Sequence, residues 1–180
     1  MGRANDDTPT EGMLALSRLP FYNFGTLNIE GGTFKTTCKV GGAIVWNNPG
    51  ATLNITGGTF DASFTAIVNQ GEATISGVTL KSSSSNRDDG THYSYAIICE
   101  GNNSKMTIKS GTYQGIQGCI ASRDLSEIII EDGTFSTVNT PGARDAWHAV
   151  YSSTKGKFLI KDGKFSTPTE NTGEQGYCVT

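Results

Sequence analysis

One nine-residue phrase recurs along this 180-residue chain and constrains its fold more than any other feature. It first appears as TLNIEGGTF, from Thr26 to Phe34, and five further copies follow. Every copy has an isoleucine at its centre and a large apolar side chain five residues later. The central residues are Ile29, Ile55, Ile75, Ile108, Ile130 and Ile160. Such matched copies indicate a repeat protein, in which each unit is completed by its neighbours.

Each copy of the phrase predicts a short strand, a corner and the start of a second strand. Leu27 and Ile29 are separated by one polar residue, which is the period of a strand with one buried face. Phe34 breaks this period, so we expect a corner at the Gly-Gly pair, because glycine accepts a positive φ. Asp132 and Asp162 replace the first glycine late in the chain, and aspartate tolerates the left-handed region better than most residues.

A second apolar phrase lies between the copies, so that each unit carries at least three short strands. Aligned by their first residue, its copies are Ala43–Trp46, Ala66–Asn69, Ala96–Ile98, Cys119–Ala121, Ala149–Tyr151 and Tyr177–Val179. One unit cannot bury its apolar face alone, whereas stacked units bury it as continuous ladders. The sequence therefore predicts an all-β fold, a right-handed parallel β-helix solenoid of six to seven rungs. The hand follows from the usual chirality of parallel crossovers.

The combined pattern V-N-x-G-x-L-x-I-x-G-G-T-F resembles that of the pectate-lyase-like superfamily of right-handed parallel β-helices. In particular, it is similar to the GGTF-type repeats of phage virion proteins and of surface proteins of gut bacteria. The resemblance covers about residues 20 to 180. It implies the fold but little about function, because this fold hosts lyases, hydrolases, adhesins, tailspikes and passive spacers alike.

The N-terminal residues predict a short helix in front of the solenoid. Thr8, Pro9 and Glu11 match a capping box with proline at the first helical position. We expect a helix over about residues 9 to 18 that covers the open edge of the first rung. The chain is thus divided into a tail with a capping helix, residues 1–19, and a β-helix domain, residues 20–180.

Charge and cysteine content exclude several classes of function. The net charge is −3 and there is no basic block, so nucleic acid is not an expected partner. No apolar run reaches the length of a membrane span, and no membrane insertion is expected. The N-terminus has no apolar signal core, so a chain that starts at Met1 is expected to lack a secretory signal peptide.

The four cysteines are Cys38, Cys99, Cys119 and Cys178. Because no pair of them has the spacing of metal ligands, we expect neither a metal nor a cofactor. We interpret them as small buried side chains of a reduced protein.

The segments that follow the aromatic position vary most in length. The longest are residues 81–95, 136–147 and 166–176, and all of them leave the same corner of the predicted coil. A solenoid usually places recognition on such a face, and unselected surface loops are the alternative. The candidate binding residues on this loop face are Arg87, Asp88, Asp89, His92, Tyr93, Arg144, Asp145 and Trp147.

These loops also carry the residue types that chemistry would need. If the loops converge, two carboxylates at the right separation could hydrolyse a glycosidic bond, or Asp88 and Asp89 could hold Ca²⁺. An enzyme of this fold needs a rigidly placed acid and base, whereas all these residues lie in variable loops. We therefore assign no catalytic residue.

Aromatic side chains in or beside the loops could instead stack on a glycan, and the alternative is that they pack on the rod. The aromatic candidates are Trp46, Tyr93, Tyr95 and Trp147.

An outward-facing column of the repeat points to a protein contact. The column is polar over four copies and apolar at Ile129 and Leu159. Adjacent exposed apolar residues suggest an interface, to which we add Tyr151 as a candidate. In the next column Glu131 and Lys161 can pair weakly. The chain stops at Thr180, inside the last strand phrase, which suggests either docking on a partner or a longer natural chain.

We therefore predict a non-enzymatic structural and interaction protein, best matched by a bacteriophage virion component such as a head-decoration or fibre protein. It would contact other virion or surface proteins, could form a homo-oligomer such as a trimer, and could bind a glycan. The first alternative is a module of a bacterial cell-surface adhesin. The second is a polysaccharide lyase or hydrolase, which predicts depolymerisation that is lost in Asp88→Ala or Asp145→Ala variants.

Overall fold

The computed structural model describes residues 21–37, 43–83, 95–116, 118–138 and 148–168, together with the backbone of residues 177–179. All regular elements within these ranges are β-strands, numbered β1 to β19 along the chain, and they form three parallel sheets. The predicted capping helix and the domain boundary at residue 19 lie outside the described residues.

The first sheet contains seven strands in chain order. They are β1 (Phe21–Asn23), β4 (Ala43–Asn47), β7 (Thr65–Asn69), β10 (Tyr95–Cys99), β13 (Gly118–Ser122), β16 (His148–Ser152) and β19 (Tyr177–Val179). The second sheet contains six strands, again in chain order. They are β2 (Thr26–Ile29), β5 (Thr52–Ile55), β8 (Glu72–Ile75), β11 (Lys105–Ile108), β14 (Glu127–Ile130) and β17 (Phe158–Ile160).

The third sheet contains the remaining six strands. They are β3 (Thr33–Lys35), β6 (Gly58–Ala62), β9 (Val78–Ser82), β12 (Gly111–Gly115), β15 (Thr134–Thr137) and β18 (Lys164–Ser166). Every strand pairs with the strand three positions along the chain, so one turn of the coil takes one strand from each sheet. Strands β1 to β3 form coil 1, β4 to β6 coil 2, and so on to coil 6, while β19 begins coil 7. This confirms the predicted parallel β-helix of six to seven rungs, and its right-handed winding stays a prediction.

The three predicted apolar columns fill the interior of the coil. The central isoleucines of coils 2 to 5 are fully buried, and Tyr113 and Phe135 stack with ring centroids 4.8 Å apart. Phe165 continues this aromatic ladder at 4.9 Å. Buried side chains of this size each contribute about 1.5–3 kcal/mol to folding, so the stack of columns is the main source of stability.

The corner between the second and third sheets lies at glycine, as predicted. Glycines with positive φ stand there in every complete coil: Gly32, Gly58, Gly77, Gly111, Gly133 and Gly163. The expectation that Asp132 and Asp162 use the left-handed region was wrong. Their carboxylates instead accept hydrogen bonds from the N–H groups of Gly133 and Gly163, at 2.6 and 2.7 Å. The following glycine takes the strained conformation at lower cost, and the aspartate holds it in place.

The alignment of the second phrase was wrong by one residue in coil 2. Val45 pairs with Ile67 and Trp46 with Val68, so Ala43 lies opposite Thr65 and not opposite Ala66. The same slip applies at the end of the chain, where Val179 and not Cys178 pairs with Val150. A shift of one residue reverses the inner and outer faces of a strand, so the register had to be decided by contacts between coils.

Candidate functional site

The predicted binding residues on the loop face lie outside the described residues. These are Arg87, Asp88, Asp89, His92, Tyr93, Arg144, Asp145 and Trp147. The described ends of their loops are Ser83 and Tyr95 for one, and Val138 and His148 for the other. Both loops connect the third sheet to the first, so they start and finish at one corner of the coil, as the sequence predicts.

An apolar column runs along the outer face of the first sheet, near the ends of the strands that lead into the second sheet and away from this corner. In register its members are Tyr22, Trp46, Val68, Ile98, Ala121 and Tyr151. Val68, Ile98 and Ala121 are buried, and Trp46 and Tyr151 pack against this group from its two ends. Tyr95 belongs to the same cluster and is only 2% exposed. It therefore packs on the rod and does not offer its ring to a glycan.

A polar network lies next to the apolar column. The Trp46 indole N–H donates to Oε1 of Gln70 at 3.2 Å, and Nε2 of Gln70 donates to Oε1 of Glu100 at 3.1 Å. Arg123 faces the other oxygen of Glu100 at 3.8 Å. Since these side chains come from four successive coils, the network ties coils 2 to 5 together along the outer surface.

A buried amide ladder was missed in the sequence. Asn23 donates to Asn47, and Asn47 to Asn69, each at 2.7 Å, and Asn69 then donates to the sulfur of Cys99 at 3.4 Å. Each amide also donates to a backbone carbonyl in the turn of its own coil, and to the carbonyl of the first residue of the second-sheet strand in the next coil. The signal was present in the V-N-x-G pattern, which places asparagine directly before this turn.

The predicted interface residues fall on two different faces. Ile129 and Leu159 pair across β14 and β17 on the outer face of the second sheet, where Leu159 is 36% exposed. Tyr151 lies on the first sheet, 5.6 Å from the ring of His148, and so does not join them in one surface. Beside the apolar pair, Lys161 contacts Glu131 at 2.9 Å, which confirms the predicted ion pair.

Two described carboxyl groups have a pKa below its ordinary value, and both belong to ion pairs. Partial burial raises the pKa of Asp61, but hydrogen bonds from Lys35 and Ser83 outweigh it, and the net shift is downward. The hydrogen bond from Lys161 lowers the pKa of Glu131. A general acid at neutral pH needs a raised pKa, so these two groups suit pairing between coils better than proton donation.

The described thiols, Cys99 and Cys119, are free and buried. Burial raises the pKa of Cys99, and it raises that of Cys119 to about 12. Such thiols are unreactive, which agrees with their interpretation as small core residues. Cys38 lies outside the described residues, and only the backbone is described at Cys178.

The described ranges lack two features that would point to a bound cation or to a membrane. Within them no three His, Cys, Asp or Glu side chains are grouped so that they could hold a metal ion. The same part of the chain contains no helix with the length and apolar character needed to cross a membrane.

Family models, curated proteins and solved structures gave no match to this chain.

Proposed function

We propose that this chain is a non-enzymatic structural and interaction protein of a bacteriophage particle. It would act as a head-decoration or fibre protein that presents its loops for surface or glycan binding. One observation carries the structural role: polar side chains bond along the rod from each coil to the next. Examples are Asn23 with Asn47, Lys35 with Asp61, Gln70 with Glu100, and Glu131 with Lys161. Groups that are used in this way stiffen the stack of coils.

The electrostatics of the described residues support a role without catalysis. Asp61 and Glu131 both have a lowered pKa and a lysine partner. At neutral pH each is therefore an ionised, paired carboxylate, which is a poor proton donor. An enzyme of this fold would need one raised and one ordinary carboxyl group at a fixed separation. We accordingly treat a polysaccharide lyase or hydrolase as the least supported of the three hypotheses.

A contact with another protein is the interaction that we place on the second sheet. Ile129 and Leu159 form a small apolar step on an otherwise polar outer column, next to the Glu131–Lys161 ion pair. Apolar side chains in adjacent coils can be covered by the same element of a partner. The partner would be another virion or surface protein, or further copies of this chain in a homo-oligomer such as a trimer.

Light scattering of the purified chain over a concentration series tests this proposal. We expect a trimer or a larger closed assembly, and we expect Leu159→Glu to shift the mass towards the monomer because it puts a charge into the contact. Leu125→Glu is the matched control: Leu125 is 46% exposed but lies on a turn of coil 5. It should leave the mass unchanged.

A monomer at every concentration would count against self-assembly. It would put the alternative, a module of a bacterial cell-surface adhesin, on an equal footing with the phage hypothesis. That alternative predicts a signal peptide upstream and a wall anchor downstream in the full-length gene, which sequencing of the surrounding gene would reveal.

A further inference from the structure

The turns from the first sheet to the second differ in length from coil to coil. In coil 3 only residues 70–71 connect β7 to β8, whereas residues 48–51 do so in coil 2 and residues 100–104 in coil 4. Because successive coils are stacked about 4.8 Å apart, the short turn lies in a notch between two longer ones. The notch has a volume of about 600 Å³.

The walls of the notch are polar but carry no cluster of one charge. Asn102 and Asn103 contribute amides from coil 4, Thr52 a hydroxyl from coil 2, and Gln70 and Glu72 an amide and a carboxylate from coil 3. Asn102, Asn103 and Glu72 are exposed, and the other two are half-buried. This mixture of donors and acceptors suits a ligand that is covered with hydroxyl groups, each of which both donates and accepts.

Gln70 connects the notch to an aromatic surface, and both its amide oxygen and its amide nitrogen are hydrogen-bonded. Its Oε1 accepts from the Trp46 indole, and its Nε2 donates to Glu100. An amide has two N–H groups and two lone pairs on its oxygen, so one of each remains for a ligand. Because these bonds already order the side chain, a ligand would lose less free energy in fixing it.

The aromatic surface is formed by Trp46 in coil 2 and Tyr22 in coil 1, one and two coils from Gln70 in coil 3. Tyr22 and Trp46 are stacked with ring centroids 6.2 Å apart and an interplanar angle of 18°. Tyr22 is 50% exposed, and the neighbouring Phe24 is 75% exposed. Exposed rings of this kind offer a flat apolar face beside polar groups, which matches the C–H face and the hydroxyl edge of a sugar ring.

We propose that this notch, together with Tyr22 and Trp46, binds a neutral glycan. Glu72 is the charged side chain in the lining of the notch, and nearby Arg123 and Glu100 offset each other's charge, so a uronate or a sulfated sugar would meet a carboxylate and no cationic side chain in that lining. The site lies at the opposite end of the first sheet's strands from the predicted loop face. It would bind a glycan whether the rod belongs to a particle or to a cell surface, and thus goes beyond the proposed function.

Affinity electrophoresis tests the inference with soluble polysaccharides cast into a native gel. Dextran, galactomannan and xylan serve as neutral probes, and polygalacturonate as an acidic one. We expect at least one neutral polymer to retard the chain and polygalacturonate not to. Gln70→Ala and Trp46→Ala should each raise the dissociation constant obtained from the retardation by about tenfold or more, because each variant removes one side of the contact.

Two control variants remove similar groups elsewhere. Gln114→Ala deletes a half-buried amide on the third sheet, and Leu125→Ala deletes an exposed apolar side chain on a turn of coil 5. Both should bind as the unchanged chain does. Melting temperatures show whether each variant is folded. Asn102→Ala, on the exposed turn that lines the notch, is a third notch variant; it leaves the core intact and should also weaken binding.

Three results would overturn the inference. They are no retardation by any of the three neutral polymers, retardation by polygalacturonate alone, and equal binding of the notch and control variants. None of these results depends on the molar mass of the chain, so a failure of glycan binding is separate from a failure of the proposed assembly.

Discussion

Neighbouring residues of one strand make very different contributions to folding in this protein. Ile108 lies inside the coil, fully buried, and stacks between Ile75 and Ile130. Thr107 points outward and remains partly exposed. Because buried side chains in a stack are packed by the coils on both sides, the loss of inner atoms leaves a cavity that neither neighbour can fill.

We expect Ile108→Ala to lower the free energy of unfolding by about 2–5 kcal/mol, as large-to-small changes in a core do. Thr107→Ala, its outward neighbour, should change it by no more than about 0.5 kcal/mol. Denaturant unfolding followed by circular dichroism measures both. Equal losses in the two variants would mean that the inner and outer faces of β11 are assigned the wrong way round.

The elements that link the sheets are constrained by the coil before them. Gly71 follows Gln70 in the short turn of coil 3, and a Cβ at this position would meet the carbonyl oxygens of Asn48 and Ala51 in coil 2. Gly25 holds the equivalent position in coil 1, where a Cβ would have no neighbour within 4 Å. The same turn therefore needs glycine only where another coil lies against it.

This difference predicts that the same substitution will affect stability at one of two equivalent sites and not at the other. Gly71→Ala should destabilise the protein by about 1–3 kcal/mol or more, because the new methyl group forces backbone to move. Gly25→Ala should be close to neutral, and thermal unfolding of the two variants compares them. If Gly71→Ala left the stability unchanged, the turn of coil 2 must be able to shift away from the new methyl group, and the backbone that forms the notch would be more deformable than its contacts indicate.

At the scale of the whole molecule, the rod is packed most completely in its middle. The inward columns are buried in coils 2 to 5, whereas Leu27 and Phe34 in coil 1 and Phe158, Ile160 and Phe165 in coil 6 are only partly buried. The stability of a solenoid is approximately a sum over coils and the contacts between them. In the second and third sheets the strands of coils 1 and 6 each have one described neighbour, so they should open at lower cost than the strands of a central coil.

Amide hydrogen exchange can test this gradient at two matched positions. The N–H of Lys109 in coil 4 donates to Ile75, and that of Lys161 in coil 6 donates to Ile130, both at 2.8 Å. We expect Lys161 to exchange at least about tenfold faster, because local opening of the end coil costs less free energy. Equal protection at the two sites would show that the rod opens only as one unit.

Local patterns in the sequence were sufficient for the architecture. The repeat spacing, the alternation of Leu27 and Ile29 and the glycine corners predict stacked coils, because strand period and turn conformation depend on residues close together in the chain. The ion pair between Glu131 and Lys161 could also be predicted, since equivalent positions of adjacent repeats must meet. The binding residues predicted on the loops stay a prediction.

Only the tertiary structure decided how the coils contact one another. The register of β4, the ladder from Asn23 to Asn69, the network around Gln70 and the placement of Tyr151 apart from Leu159 all depend on it. The notch arises in the same way, from a short turn between two longer ones. Each of these features joins residues of different coils, so its geometry is set by side-chain packing and turn length between repeats and not by the pattern within one repeat.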